Sequence, residues 1–212
     1  MPQALHLDVQ VGAVAGGVPD AARRCAFCAR PGAFQGQDGA QATCPLCWLV
    51  RDLGRPRIDE EARLIWLPEA GQSVINVLCR EIHIELYRLL EPLCDDAVPR
   101  VDSEASTRLY YARVALAARD DAAVSRLGSS KPSELAEALR QLPAPIRARQ
   151  SDLLAGLRLL PRGRFFVGDE DIYPRVVGIW SNGSAVEPRP SYNEVSVLCR
   201  SCRTCLPDYP LH

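Results

Sequence analysis

The chain has no charge of one sign to spare and no long apolar run. Its 25 basic and 26 acidic residues leave a net charge of −1. A protein that grips nucleic acid mainly through phosphates carries a positive excess, so that class is disfavoured. Nowhere does the sequence hold the roughly 18 consecutive apolar residues that a membrane-spanning helix needs. The N-terminal stretch MPQALHLDVQVGAVAGG lacks the charged region of a signal peptide, and a cytoplasmic protein is expected. Histidine is scarce: His6, His83 and His212 are the only three. Few imidazoles are therefore available as general bases or metal ligands. Lys131 is the single lysine among the 25 basic residues. That arginine bias is compositional and carries no functional reading.

Cysteine is abundant by contrast, with nine residues. Most fall in C-x-x-C pairs. In a reducing compartment that spacing favours metal over disulfide, and an odd total argues against a complete disulfide framework. The strongest signal is Cys25-Ala-Phe-Cys28 followed by Cys44-Pro-Leu-Cys47, with residues 29–43 between them. Zinc takes four ligands in a tetrahedron and favours thiolates. Two sulfurs in one tight turn can face a single ion, and a second turn completes the shell. The expected site is Cys25, Cys28, Cys44 and Cys47 around Zn²⁺, structural rather than catalytic, because four thiolates leave no open position for water. A pair of redox dithiols is the competing reading. Residues 24–50 are rich in small side chains, so the ion is expected to supply the interior that this segment lacks.

Paired knuckles also frame the metal-dependent HNH nucleases, which place a histidine base between the pairs. Here residues 29–43 contain no histidine and one acid, Asp38. No base is present there to activate water, and no acidic cluster to hold Mg²⁺. Residues 1–60 hold six arginines and six acids. Four thiolates around a divalent ion add a formal −2, which repels a phosphodiester. Arg51, Arg55 and Arg57 are expected to form a solvated edge.

The hydrophobic pattern organises the rest. Leu5, Leu7, Val9 and Val11 alternate with polar residues, the period of a half-buried strand. Arg63–Leu67 reads as a strand stopped by Pro68. From Pro68 to Pro92 one helix is expected, with Ile75, Leu78, Cys79, Ile82, Leu86, Leu89 and Leu90 on its apolar stripe. A second helix is expected from Asp102 or Ser103 to Leu127, with Gly128 as its C-cap. A short one should follow from Lys131-Pro132 to Leu142, and another from Ile146 to Leu160. Residues 161–180 read as irregular or strand-containing, and 181–190 as a linker. The fold class is α+β: a zinc-knuckle (treble-clef, HNH-like) N-terminal module packed on a mostly helical region. Its divisions are 1–67 for the knuckle module, 68–160 for the helical region, 161–190 for the irregular segment and linker, and 191–212 for a Cys-rich tail.

A strand, two knuckles and then LIWLPEAGQSVINVLCREIHIEL (Leu64 to Leu86) together resemble the DotN (IcmJ) family of the Dot/Icm type IVB secretion system. Leu64-Ile-Trp-Leu-Pro-Glu69 and Asn76-Val-Leu-Cys79 carry most of the likeness, with weaker continuations from Thr107 and at Leu159-Leu-Pro-Arg-Gly-Arg-Phe165. The resemblance implies an HNH-like zinc core without the catalytic histidine. It implies a non-catalytic cytoplasmic adaptor that binds the C-terminal segment of the coupling ATPase. Such an adaptor helps assemble the platform that recruits substrates, and reaches the inner membrane face through its partner. The alternative is an HNH-like nuclease or a zinc-dependent DNA-binding protein.

Several residues remain. Cys199, Cys202 and Cys205 form a candidate second zinc site that lacks a fourth ligand, which His212 or Cys94 could supply; an iron–sulfur cluster fits less well. Cys79 is expected to pack in the core. His83, one position past Ile82, is expected at the surface or boundary, and His6 on the polar side of the first strand. Asp169-Glu170-Asp171 reads as a solvated charge run. Trp48 is expected to pack over the metal site.

Overall fold

The structure, a computed structural model, describes residues 6–9, 18–35, 41–97, 103–147 and 149–183. Helices and a small amount of sheet make it α+β. Helix α1 (Pro45–Arg51) follows the second cysteine pair, and a single turn, α2 (Ile58–Glu61), leads into strand β1 (Ala62–Trp66). Then come α3 (Gln72–Arg88), α4 (Glu104–Ala117), α5 (Asp120–Leu127) and α6 (Pro132–Gln141). Two single turns, α7 (Ala144–Arg147) and α8 (Gln150–Leu153), precede β2 (Leu157–Pro161). A hairpin of β3 (Phe166–Val167) and β4 (Glu170–Asp171) leads to α9 (Tyr173–Gly183).

Of the first expected strand, residues 6–9 are described, and they form one isolated bridge, Val9 with Asp52, rather than a strand. Leu7 is buried while His6 and Asp8 are exposed, as alternation requires. Asp8 bonds the backbone of Val50 and Leu53 at 3.0 Å each, which lays residues 6–9 beside the end of α1. Helix α3 carries most of the expected stripe, with Ile75, Cys79, Ile82 and Leu86 buried and Leu78 half-buried, while Leu90, also expected on it, lies past the helix end and is exposed. It starts at Gln72 rather than Pro68. Pro68 and Glu69 are exposed in the turn between β1 and α3, held by Leu67 N–H on the Gly156 carbonyl at 2.8 Å. It also stops short of Pro92. Leu90 turns left-handed at φ +58. Glu91 N–H then reaches the Leu86 carbonyl at 2.9 Å and Leu90 N–H that of Tyr87 at 3.1 Å. That is a Schellman-type cap formed without glycine.

Ser103 caps α4, its hydroxyl accepting from Ser106 N–H, and Gly128 closes α5 at φ +82. The single helix expected between them is broken at Ala118 and Arg119. The cause is tertiary: the Arg119 carbonyl accepts from Trp66 N–H at 3.1 Å, and the Ser130 carbonyl accepts from Leu64 N–H at 2.8 Å. The outward N–H groups of Leu64 and Trp66 on β1 are thus satisfied by backbone on either side of α5.

The helix expected over Ile146–Leu160 is a second correction. Its last third is strand β2, antiparallel to β1, with Leu64 opposite Leu159 and Trp66 opposite Leu157. Two stretches nearly a hundred positions apart thus form one ribbon. Gly156 makes the entry possible, since at φ +92 a Cβ there would lie 2.8 Å from the Trp66 ring. Residues 161–183 end not in strand or linker but in α9. Val176, Val177 and Trp180 are buried along it, and Tyr87 of α3 lies 3.0 Å from where Gly178 would carry a Cβ.

One buried cluster runs through the molecule. The cysteine-bearing segment shares it: Phe34 stacks on Phe165 at 5.6 Å, and Trp48 meets both rings edge-on. The expectation that an ion alone would replace this segment's interior is therefore corrected. Its aromatic side chains borrow a core from residues over a hundred positions away. Arg55 is likewise no solvated residue. It makes a two-pronged ion pair with fully buried Glu61 at 2.7 Å per bond and lies 4.1 Å from the Phe165 ring centre. Arg51 and Arg57 cover Phe27 and Phe166.

Candidate metal centre

The first cysteine pair sits in a tight turn. The Cys25 carbonyl accepts from Ala29 N–H and Cys25 N–H donates to the Arg30 carbonyl, both at 2.8 Å. Ala29 takes a left-handed φ of +57 to close it. The second pair opens α1: Cys44 is the extended N-cap residue, Pro45 fixes the first helical position, and Cys47 lies in the first turn. Two links dock the pairs together. Ala26 N–H bonds the Ala42 carbonyl at 2.8 Å, and Phe34 and Thr43 exchange backbone bonds at 3.0 and 3.1 Å.

This brings the four sulfurs within 4.8 Å of one another, with Cys28 and Cys44 at 3.6 Å. All four thiols are free. A metal–sulfur bond of about 2.3 Å implies a tetrahedral edge near 3.8 Å, so the spacing suits a metal ion. Cys25, Cys44 and Cys47 are buried, and Cys28 is half-buried. Among the described residues this is the one such group of ligating side chains, and it contains no imidazole or carboxylate.

The electrostatics agree with a cation. Hydrogen bonds from Cys28, then from Cys44 and Cys47, hold the Cys25 thiol far below the ordinary range. The Cys44 thiol is pushed far above it by its hydrogen bond to Cys25, then by those to Cys28 and Cys47 and by burial. One thiolate is comfortable among three thiols, while four together need positive charge at their centre. Around the rim, burial lowers the Arg30 guanidinium from its ordinary value, with the Arg80 charge second.

Other elements hold the site in place. The Trp180 indole of α9 donates to the Pro31 carbonyl at 2.9 Å, just after the first turn. Gly32 takes φ +76 with Trp180 Nε1 3.4 Å from where its Cβ would be. From α3, the Asn76 amide reaches the Leu46 carbonyl at 3.3 Å and Cys47 Sγ at 3.9 Å. Asn76 and Gln72 lie at i and i+4 beside the apolar stripe. Two amides at that spacing were the available signal for a buried polar contact. Trp180 gave none.

The remaining candidates disperse. Cys79 is in the core, as expected, its thiol pushed up to about 12 by burial. His83 is not at the surface: it is buried, with Nδ1 2.7 Å from the Tyr173 hydroxyl. Helix α3 is buried on more than its stripe because α9 covers its other flank. His6 is exposed. Asp171 of the charge run accepts from Phe165 N–H and Tyr173 N–H at 3.0 and 3.1 Å, and Glu170 pairs with Arg175. Trp48 packs on phenylalanines, as described above. Cys199, Cys202, Cys205 and His212 lie outside the described residues. No helix among the described residues is long and apolar enough to cross a membrane.

No model of a known protein family matches the chain, and a search of curated proteins finds no match to it.

Proposed function

We propose that this chain is a non-catalytic zinc-binding adaptor. Its expected setting is the coupling complex of a type IVB secretion system or a related conjugation machine, where it would bind the C-terminal segment of the coupling ATPase. The observation that carries the reading is the all-sulfur ligand set at Cys25, Cys28, Cys44 and Cys47. A tetrahedral ion held by four thiolates has no coordination position left for substrate or water. Soft thiolate ligands in that geometry select zinc over magnesium or calcium. A cysteine turn, the Phe34–Thr43 bridge and a second pair at a helix start support the treble-clef, HNH-like reading of this module. Residues 29–43, between the two pairs, contain no histidine, and His83 is hydrogen-bonded to Tyr173. The setting rests on the Leu64–Leu86 resemblance. Two of its stretches, 64–69 and the weaker 159–165, include paired residues of β1 and β2.

The test has two parts. Mass spectrometry under native conditions should find one tightly held zinc at these cysteines, lost in Cys44→Ser. Iron in its place would change the metal, and no metal would end the reading. The tagged full chain should co-purify with the coupling ATPase of such a system and leave plasmid DNA intact with Mg²⁺ or Mn²⁺. Metal-dependent cleavage would replace the adaptor with a nuclease.

A further inference from the structure

We infer that Asn76, oriented by Gln72, is a positioning residue of the metal centre: its side-chain amide donates to the sulfur of Cys47 and ties that ligand to the β1–β2 ribbon. The inference rests on the metal reading above and goes beyond it in naming a residue that ligates nothing.

The argument starts from the far end. Leu159 lies in β2, and its backbone has one donor and one acceptor in known places. Gln72 satisfies both: Leu159 N–H donates to Gln72 Oε1 and Gln72 Nε2 donates to the Leu159 carbonyl, each at 2.8 Å. A side-chain amide can usually be built either way round. Here the backbone leaves one choice. Gln72 Nε2 also donates to Asn76 Oδ1 at 3.0 Å. That uses the oxygen of Asn76 and turns its NH₂ towards α1, where it meets the Leu46 carbonyl and Cys47 Sγ. Both side chains are buried, so water does not compete for these groups. The relay from strand to sulfur is unbroken and its direction is fixed at the strand.

A donor aimed at a ligating sulfur draws off negative charge and fixes the sulfur's position. Such outer contacts typically affect metal affinity by roughly 10- to 100-fold. A buried amide that merely fills space would do none of this. The same relay makes metal occupancy and the seating of α3 on the ribbon interdependent.

The full chain loaded with cadmium-113 tests the contact without any substitution. A proton–cadmium correlation through the Asn76 side-chain amide is expected. A folded, cadmium-loaded chain with no such correlation overturns the inference while leaving the metal reading intact. A chain that takes up no cadmium overturns the metal reading itself. Variants supply the second readout. Asn76→Asp removes the donor, and Gln72→Leu frees Asn76 to turn without adding charge. Both should speed zinc release to a chelator, Asn76→Asp by roughly 10-fold or more, and both should move the sulfur-to-metal band of the cobalt-loaded protein to longer wavelength. Ile75→Val, a neighbouring core change, should lower stability and leave the band unmoved. Release rates and bands unchanged in both amide variants would refute the proposal.

Discussion

Acid should weaken this fold through His83, and the size of the effect follows from where the ring sits. The imidazole is buried between α3 and α9, with Nδ1 2.7 Å from the Tyr173 hydroxyl and the two rings edge-to-face at 5.3 Å. Burial, with the Arg113 charge second, pushes its pKa down from 6.5 to about 3. The native ring therefore stays neutral at pH values where the unfolded chain binds a proton. Between those two limits the unfolded state holds more protons, so stability rises with pH. The contribution is complete above pH 6.5 and is lost progressively as pH falls towards 3. Each unit corresponds to about 1.4 kcal/mol, so the loss reaches about 2 kcal/mol by pH 5. Urea unfolding of the full chain at pH 7.5 and pH 5 measures it. Other groups also titrate in acid, so the comparison is with His83→Gln, which keeps a polar partner for Tyr173 but does not titrate. The variant should be less stable at pH 7.5 and lose about 2 kcal/mol less than wild type on going to pH 5. Equal losses in the two proteins would refute the assignment of a neutral buried imidazole.

Two further outcomes concern the frame around the site. Glu61→Gln leaves Arg55 buried without its counter-charge and weakens the bond from Phe166 N–H to the Glu61 side chain. A loss of about 3 kcal/mol is expected in denaturant unfolding, and wild-type stability would show that the pair carries no weight. Gly163→Ala would put a Cβ 2.0 Å from the Leu93 carbonyl oxygen at φ +77, where backbone rather than a flexible side chain stands in the way. It should destabilise by about 3 kcal/mol or more, read as a lowered melting temperature.

Some of this was legible because it depends on neighbours in the chain. Cysteines with two residues between them meet in one turn whatever surrounds them, so the grouping of the four was readable from spacing. The α3 stripe, the Ser103 cap and the Gly128 terminus are local in the same way. The limits of α3 were not. A left-handed leucine ended it where no sequence rule places one. His83 looked peripheral because one helix face was visible and the second covering element, α9, lies in a segment whose pattern reads as irregular or strand-containing.

What chain order alone determined is therefore the set of short-range units: two C-x-x-C turns, a strand before Pro68, an amphipathic helix and its capped neighbours. The α+β class followed from those. What remained for the tertiary structure is every choice between two locally acceptable states. Leu157–Pro161 is as good a helix as a strand until β1 offers it a ladder. The helix from Ser103 runs on until the Arg119 carbonyl is claimed by Trp66. The amide of Asn76 has no preferred direction until Leu159, far along the chain, orients Gln72. In each case the deciding hydrogen bond comes from a residue dozens of positions away, and no pattern along the chain records that distance.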